Sequence, residues 1–186
     1  TVLISEMWLP ILLSGVVCFI GGALLHMLTP LHKNDWSGMP GEDGVLAAMK
    51  KAGVDAGMYM FPFCGDKKLQ NTPEYQAKWS AGPTGVVVVM NKGPFSMGPA
   101  MVKMVLFHLV VGVLLAYIAT RTMTRGTDYL HVFRVVGTVG TMTYGLGSIP
   151  QAIWYQFKSS YALKTLVDGL VYGLLTAGVF GWLWPR

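Results

Sequence analysis

Four ionisable side chains lie within or close to apolar segments of this chain, where they are well placed to do chemistry. His26 lies near the end of the first apolar segment, and His32 follows that segment closely. His108 and Asp168 lie within later apolar segments. An ionisable group in a bilayer is costly unless a partner or a cavity compensates for its desolvation, so each one marks a candidate site. Imidazole and carboxylate groups suit a transition metal such as Zn, Cu or Fe, and they also suit a proton relay. We therefore predict a site, metal-binding or proton-relaying, formed by His26, His32, His108 and Asp168.

Further polar side chains extend this candidate site. Three follow the first apolar segment and one lies near the exit of the third: Asp35, Glu42, Asp43 and Gln151. No HxxxH or ExxH spacing fixes two ligands on one helix, so a purely structural interpretation stays open. In that interpretation His108 hydrogen-bonds a neighbouring backbone group or a tyrosine hydroxyl, and Asp168 pairs with Lys164 one turn earlier.

Catalytic signatures are absent from the chain. It contains no GxSxG, HExxH, Walker A or GxGxxG motif, and no CxxC with a partner pair. Cys18 lies in the middle of an apolar run and Cys64 lies in a polar loop, so we expect no disulfide between them. These absences argue against an enzyme, and no catalytic residue is assigned.

The composition is that of an integral membrane protein. Of 186 residues, 53% are hydrophobic and 12% are charged, whereas soluble domains average roughly 25% charged residues. So few charges exclude a soluble enzyme, and the many apolar and aromatic residues exclude a disordered chain. The net charge of +5 comes largely from Lys and Arg beside apolar segments, where they anchor helices at the lipid interface. We therefore expect a lipid bilayer, and not a nucleic acid, as the partner.

Apolar segments predict four membrane-spanning helices, at about residues 7–28, 99–120, 132–154 and 161–184. The predicted fold is an all-α membrane protein, a four-transmembrane-helix bundle forming one membrane domain over residues 1–186. A long, ordered extramembrane loop covers residues 29–98. Four spans place both termini on one side, and the positive-inside rule favours cytoplasmic termini. The same topology puts His26, His108, Asp168 and Gln151 in the half of the membrane beneath the loop.

Small residues indicate which helix faces pack closely. Cys18 and Gly22 share one face of the first span with His26, and Gly169 with Gly173 forms a GxxxG pattern in the fourth. Such a pattern indicates packing within one chain more often than dimerisation.

The loop carries its own folding signals. A helix is predicted to begin within residues 40–43 and to be stopped by Gly53, and a second to begin with Thr72 as its N-cap. Residues 86–89 are β-branched and predict a short strand or a buried extended segment. Residues 58–63 are apolar, and we expect them to pack on the bundle or to lie in the membrane interface.

Several passages of the chain carry a family resemblance. They are HMLTPLHKNDWSGMPGED (26–43), MYMFP (58–62), FRVVGT (133–138), GSIPQAIW (147–154) and TAGVFGWLWPR (176–186). Together they resemble a family of small four-span bacterial integral membrane proteins, in order and over most of the chain. The resemblance implies the four-span fold and a multi-pass location in a bacterial cell membrane. It implies no activity, cofactor or site residue.

Three functions are compatible with these features. The first is an accessory or assembly subunit of a larger membrane complex, or a homo-oligomer, which migration as a lone monomer in mild detergent would contradict. The second is a metal- or cofactor-binding membrane protein, redox-active forms included, with the His/Asp site described above. The third is a small transporter or channel, although no inverted repeat is evident.

Overall fold

The protein is mostly helical, as the sequence predicts. The computed structural model describes all residues from Thr1 to Arg186. The helices are α1 (Trp8–Leu28), α2 (Glu42–Lys51), α3 (Pro73–Ala81), α4 (Gly98–Thr122), α5 (Tyr129–Gly145), α6 (Ile149–Tyr155) and α7 (Ser159–Trp182), and the strands are β1 (Gly57–Phe61) and β2 (Gly85–Val89). These elements form two compact units. The first, called the helical unit below, comprises Thr1–Trp36 and Ser96–Arg186, and the second comprises Ser37–Phe95.

Three helices are long and apolar enough to cross a bilayer. They are Ile4–Leu28, Gly98–Thr122 and Ser159–Trp182, close to the predicted spans 7–28, 99–120 and 161–184. The length and apolarity of these three helices therefore agree with the membrane protein expected from the composition.

The predicted third span, residues 132–154, is not one continuous helix. α5 has 17 residues and ends at Gly145, a short 3-10 turn covers Leu146–Ser148, and α6 follows. Pro150 explains the break, because its ring clashes with the carbonyl four residues earlier and it lacks a backbone N–H. That carbonyl belongs to Leu146, the first residue of the turn. α5 alone is about 26 Å long.

Glycines bring α5 and α7 into close backbone contact. A Cβ atom added to Gly169 would overlap the backbone of Gly145 on the facing helix. A Cβ atom added to Gly140 would lie 3.1 Å from the Cα atom of Gly173. The predicted GxxxG pattern thus packs against α5 within the same chain.

The apolar core of the helical unit lies toward its termini. A cluster of buried residues fills this end: Val2, Met7, Val111, Leu115, Ala116, Ala119, Met123, Val132, Val136, Ala177, Phe180 and Trp184. Arg125, in the α4–α5 connection, donates to the Glu6 carboxylate at 2.6 Å. The Trp184 indole N–H donates to the backbone carbonyl of Thr124 at 3.0 Å. These contacts hold both termini at one end of the unit, which we call the terminal end. The opposite end is called the loop end.

The second unit confirms the predicted helices and strand and adds one strand. α2 and α3 begin where their signals indicate, and the Thr72 hydroxyl accepts from the Tyr75 N–H at 3.4 Å as an N-cap. β2 pairs antiparallel with β1, and Met58 is opposite Val88. The apolar passage 58–63, expected to pack on the bundle or in the interface, instead supplies most of β1.

Candidate metal centre

Two segments of the helical unit bring five polar side chains together at the loop end. His26 lies in the last turn of α1, which ends at Leu28. The chain then turns back on itself, and His32 and Asp35 lie on this turn, with the Asp35 N–H donating to the carbonyl of His32 at 3.2 Å. Lys164 and Asp168 are one turn apart on α7.

These side chains form a continuous chain of close contacts. Lys164 Nζ lies 2.5 Å from Asp35 Oδ1, and Asp35 Oδ2 lies 2.6 Å from His32 Nδ1. His32 Nε2 lies 3.1 Å from Asp168 Oδ1, and His26 Nε2 lies 3.5 Å from Asp168 Oδ2. The Asp168 carboxylate is therefore shared by two imidazoles.

The cluster is buried on one side and open on the other. The side chains of Asp35, Asp168 and His32 are 4%, 8% and 10% exposed, whereas that of His26 is 50% exposed. The two imidazole rings stack with centroids 3.9 Å apart and an angle of 17° between their planes. Their Nε2 atoms thus both approach the Asp168 carboxylate, and the His26 side chain forms the exposed side of the cluster.

The contacts of His32 restrict what its nitrogens can carry. Both Nδ1 and Nε2 face a carboxylate oxygen. An ionised carboxylate only accepts hydrogen bonds, so each of these nitrogens needs either a proton or a metal ion. With both carboxylates ionised, His32 is an imidazolium, or it keeps its Nδ1 proton and binds a metal through Nε2.

Charge sets the pKa values of the two groups on the turn. Burial lowers the pKa of the His32 imidazole, but its hydrogen bonds to Asp35 and Asp168 outweigh burial, so the pKa lies above its ordinary value. The Lys164 ammonium group holds the pKa of the Asp35 carboxyl below its ordinary value, helped by His32 and opposed by burial. Both shifts favour the charged forms.

We expect the metal-free protein to lose stability as the pH rises through the folded-state pKa of His32. A raised pKa stabilises the folded state below the ordinary value of 6.5, and the contribution is lost above the raised value. Asp35 acts in the opposite sense: its contribution is present above the ordinary value of 3.8 and is lost as the pH falls through the lowered pKa. Melting temperatures of wild-type protein and His32→Gln in metal-free detergent, across both ranges, test this.

The expected result is a decline in stability as the pH rises above 6.5, which His32→Gln removes. His131, an exposed histidine at the start of α5, provides the matched control, because His131→Gln should keep the wild-type profile. The same decline in His32→Gln would contradict the assignment.

His108 lies outside this cluster. It is 1% exposed, and its Nδ1 lies 3.4 Å from the hydroxyl of Tyr144 on α5. The structural interpretation of the sequence predicted such a contact of His108 with a tyrosine hydroxyl. Asp168 does not follow that interpretation, because its close partners are the two histidines, while Lys164 pairs with Asp35.

The remaining predicted polar residues are spread over other elements. Glu42 and Asp43 occupy the first turn of α2 in the second unit, where acidic groups suit the helix dipole. Gln151 is exposed on α6. The structural interpretation paired Lys164 with Asp168, whereas Lys164 pairs with Asp35. Nothing in the residue spacing indicates the turn that brings Asp35 to α7.

The donor atoms lie close enough together for one metal ion. One nitrogen each of His26 and His32 and an oxygen of Asp168 all lie within 4.8 Å of one another. Comparison with known proteins adds no assignment: no protein-family model, no curated protein and no solved structure matches this chain.

Proposed function

We propose that this chain is an integral membrane protein that binds one divalent transition-metal ion through His26, His32 and Asp168. The observation that carries the proposal is the position of His32 between two carboxylates. Its Nδ1 contact with Asp35 fixes the proton there, which leaves the Nε2 lone pair for a metal shared with Asp168. A metal-bound histidine characteristically donates its other N–H to a carboxylate in this way.

The surroundings favour a cation with an open coordination position. With both imidazoles neutral, two carboxylates and one ammonium group give the cluster a net negative charge, which a divalent ion compensates. Three protein ligands leave a fourth position of a tetrahedral site for water or a substrate, and the half-exposed side chain of His26 leaves one side of the cluster open. Two imidazoles and one carboxylate suit Zn²⁺ and also Fe²⁺, Co²⁺ or Ni²⁺.

We also propose α5 as a fourth membrane-embedded helix, completed by α6. Its only Lys, Arg, Asp or Glu side chain is Arg134, and its glycines pack against α7. With both termini at one end of the helical unit, this arrangement has an even number of spans. The Arg-rich connection near Arg125 favours cytoplasmic termini, in keeping with the bacterial membrane location that the resemblance implies. The role of an accessory subunit stays a prediction from the sequence, as does that of a transporter.

Metal titration of the purified protein in lipid nanodiscs tests the proposal. We expect one Zn²⁺ or Co²⁺ per chain, with visible absorption of tetrahedral Co²⁺, and affinity that falls at acidic pH because a proton competes for His32 Nε2. The control variant His131→Gln should bind as wild type does, and His32→Gln should not. Wild-type affinity no higher than that of His32→Gln would contradict the proposal and leave the cluster as a hydrogen-bonded link between the turn and α7.

A further inference from the structure

A cavity lies at the terminal end of the helical unit, away from the His/Asp cluster. It encloses about 350 Å³ where α5 begins and α7 ends, which is enough for a small polar ligand. Its charged lining residues are Asp128 and Arg186, and its aromatic lining residues are Tyr129, Trp182 and Trp184. Two opposite charges and three aromatic rings thus line one small space.

Hydrogen bonds hold both walls of the cavity in place. On one wall, the Gly126 N–H donates to the carbonyl of Pro185 at 2.9 Å, next to Arg186 in the chain. On the other wall, Asp128 caps α5, because its Oδ1 atom accepts from the His131 N–H at 3.0 Å. The lining is therefore organised before a ligand arrives, which lowers the entropic cost of binding.

The two charges that line the cavity do not neutralise each other. No ion pair includes Asp128 or Arg186, and the capping bond of Asp128 uses only Oδ1. An anion bound to Arg186 would also face the carboxylate of Asp128, and a cation bound to Asp128 would face the guanidinium group. A ligand that carries both charges pairs with both residues, so complementarity favours a zwitterion.

The aromatic side chains indicate the depth of the cavity in the membrane. Trp182 is the last residue of α7, one of the three long apolar helices, and it is 70% exposed. Tyr129 is the first residue of α5 and is 45% exposed. Exposed Trp and Tyr side chains at the ends of spanning helices lie at the level of the lipid headgroups. At this depth the available zwitterion is a phospholipid headgroup.

We propose that this cavity binds the headgroup of one zwitterionic phospholipid with a primary ammonium group, such as phosphatidylethanolamine. The Arg186 guanidinium group donates to the phosphate oxygens, the anion that its planar set of donors suits best. The ammonium group donates to the free oxygen of Asp128, and the neighbouring aromatic rings attract the same cation. The acyl chains extend into the bilayer beside α5 and α7. The site is independent of the metal ion proposed at the loop end.

Native mass spectrometry of the detergent-solubilised protein tests this site with lipids of defined headgroup. Phosphatidylethanolamine and phosphatidylglycerol with identical acyl chains share the phosphate, but only the first carries an ammonium group. We expect one bound phosphatidylethanolamine per chain, with an affinity at least about 10-fold above that for phosphatidylglycerol, the effect of one charge-assisted hydrogen bond. Equal affinities for the two lipids would overturn the proposal.

Three variants test the two charges separately. Asp128→Asn keeps a side chain that caps a helix but removes the charge, so the preference for phosphatidylethanolamine should fall below about 3-fold. Arg186→Gln should weaken the binding of both lipids at least about 10-fold, since both phosphates lose their donor. Arg121→Gln is the matched control and should bind as wild type does, because Arg121 lies in the last turn of α4 at the same end but does not line the cavity.

Two results with these variants would overturn the site. One is an unchanged lipid preference in Asp128→Asn, which would remove the carboxylate from the recognition of the ammonium group. The other is an equal loss of binding in Arg121→Gln and Arg186→Gln, which would show a general attraction between basic side chains and lipid phosphates.

A water-soluble ligand distinguishes a bound lipid from a free headgroup. Glycerophosphoethanolamine carries the same charged groups without acyl chains. We expect it to bind at least about 10-fold more weakly than the lipid, because the apolar contacts of the chains are lost. Equal affinity would overturn a lipid as the occupant. Metal binding at the loop end is measured with other variants, so its failure would leave these results unchanged.

Discussion

Replacing Asp168 by asparagine is expected to lower the affinity of the protein for Zn²⁺ by more than about 100-fold, beyond the usual effect of losing an outer-shell partner. Asparagine keeps the shape of the side chain but removes the negative charge and the anionic oxygen. Two neutral imidazoles then remain as ligands, and the half-buried ammonium of Lys164 is balanced by Asp35 alone. Competition with a fluorescent zinc chelator in nanodiscs measures the change.

Substitutions of two further aspartates provide comparisons for this result. Asp35→Asn should lower the affinity by about 10–100-fold, because Asp35 orients His32 without binding the ion. Asp43→Asn should leave the affinity unchanged, since Asp43 is exposed in the first turn of α2. An effect of Asp35→Asn larger than that of Asp168→Asn would show that the roles of the two carboxylates are reversed.

The sequence predicts the membrane-spanning helices well because length and apolarity alone determine them. Only at Pro150 does a local rule override the apolar pattern, where the helix breaks and a turn follows. Part of the cluster can be predicted from the sequence as well, because polar residues stand out in apolar segments. His26 and Asp168 are conspicuous as polar groups near the same end of two antiparallel helices, and His32 follows at once in the chain.

The structure does not place His108 in this group, and the sequence could not show this, since the position of His108 depends on how α4 is rotated about its axis. α4 is apolar on every side, so no polar face indicates which residues point toward α1 and α7. Its neighbour Phe107 is 45% exposed while His108 is 1% exposed, a difference that packing sets. The pairing of Lys164 with Asp35 could not be predicted for another reason. A helical i,i+4 spacing favours Asp168, and only the tertiary turn at Asp35 offers a closer partner.

Replacing Gly169 by alanine is expected to lower the melting temperature by about 6–12 °C, the result of a cost of about 3 kcal/mol. The new Cβ atom would overlap the backbone of Gly145 and lie 3.0 Å from the carbonyl carbon of Tyr144. A flexible side chain can move aside, but a helix backbone can do so only by separating α5 from α7. Circular dichroism during heating, in one detergent for all variants, measures the change.

Gly178 on the same helix offers the matched control. A Cβ atom there would meet only the Tyr129 hydroxyl, at 3.9 Å, which is an ordinary contact. Alanine is the better helix former by about 1 kcal/mol, so Gly178→Ala should keep or raise the melting temperature. Equal melting of the two variants would contradict the close packing of α5 on α7. Because α5 is less apolar than the three long helices, its place beside α7 depends on this backbone contact, and a large difference between the variants would support α5 as the fourth helix of the bundle.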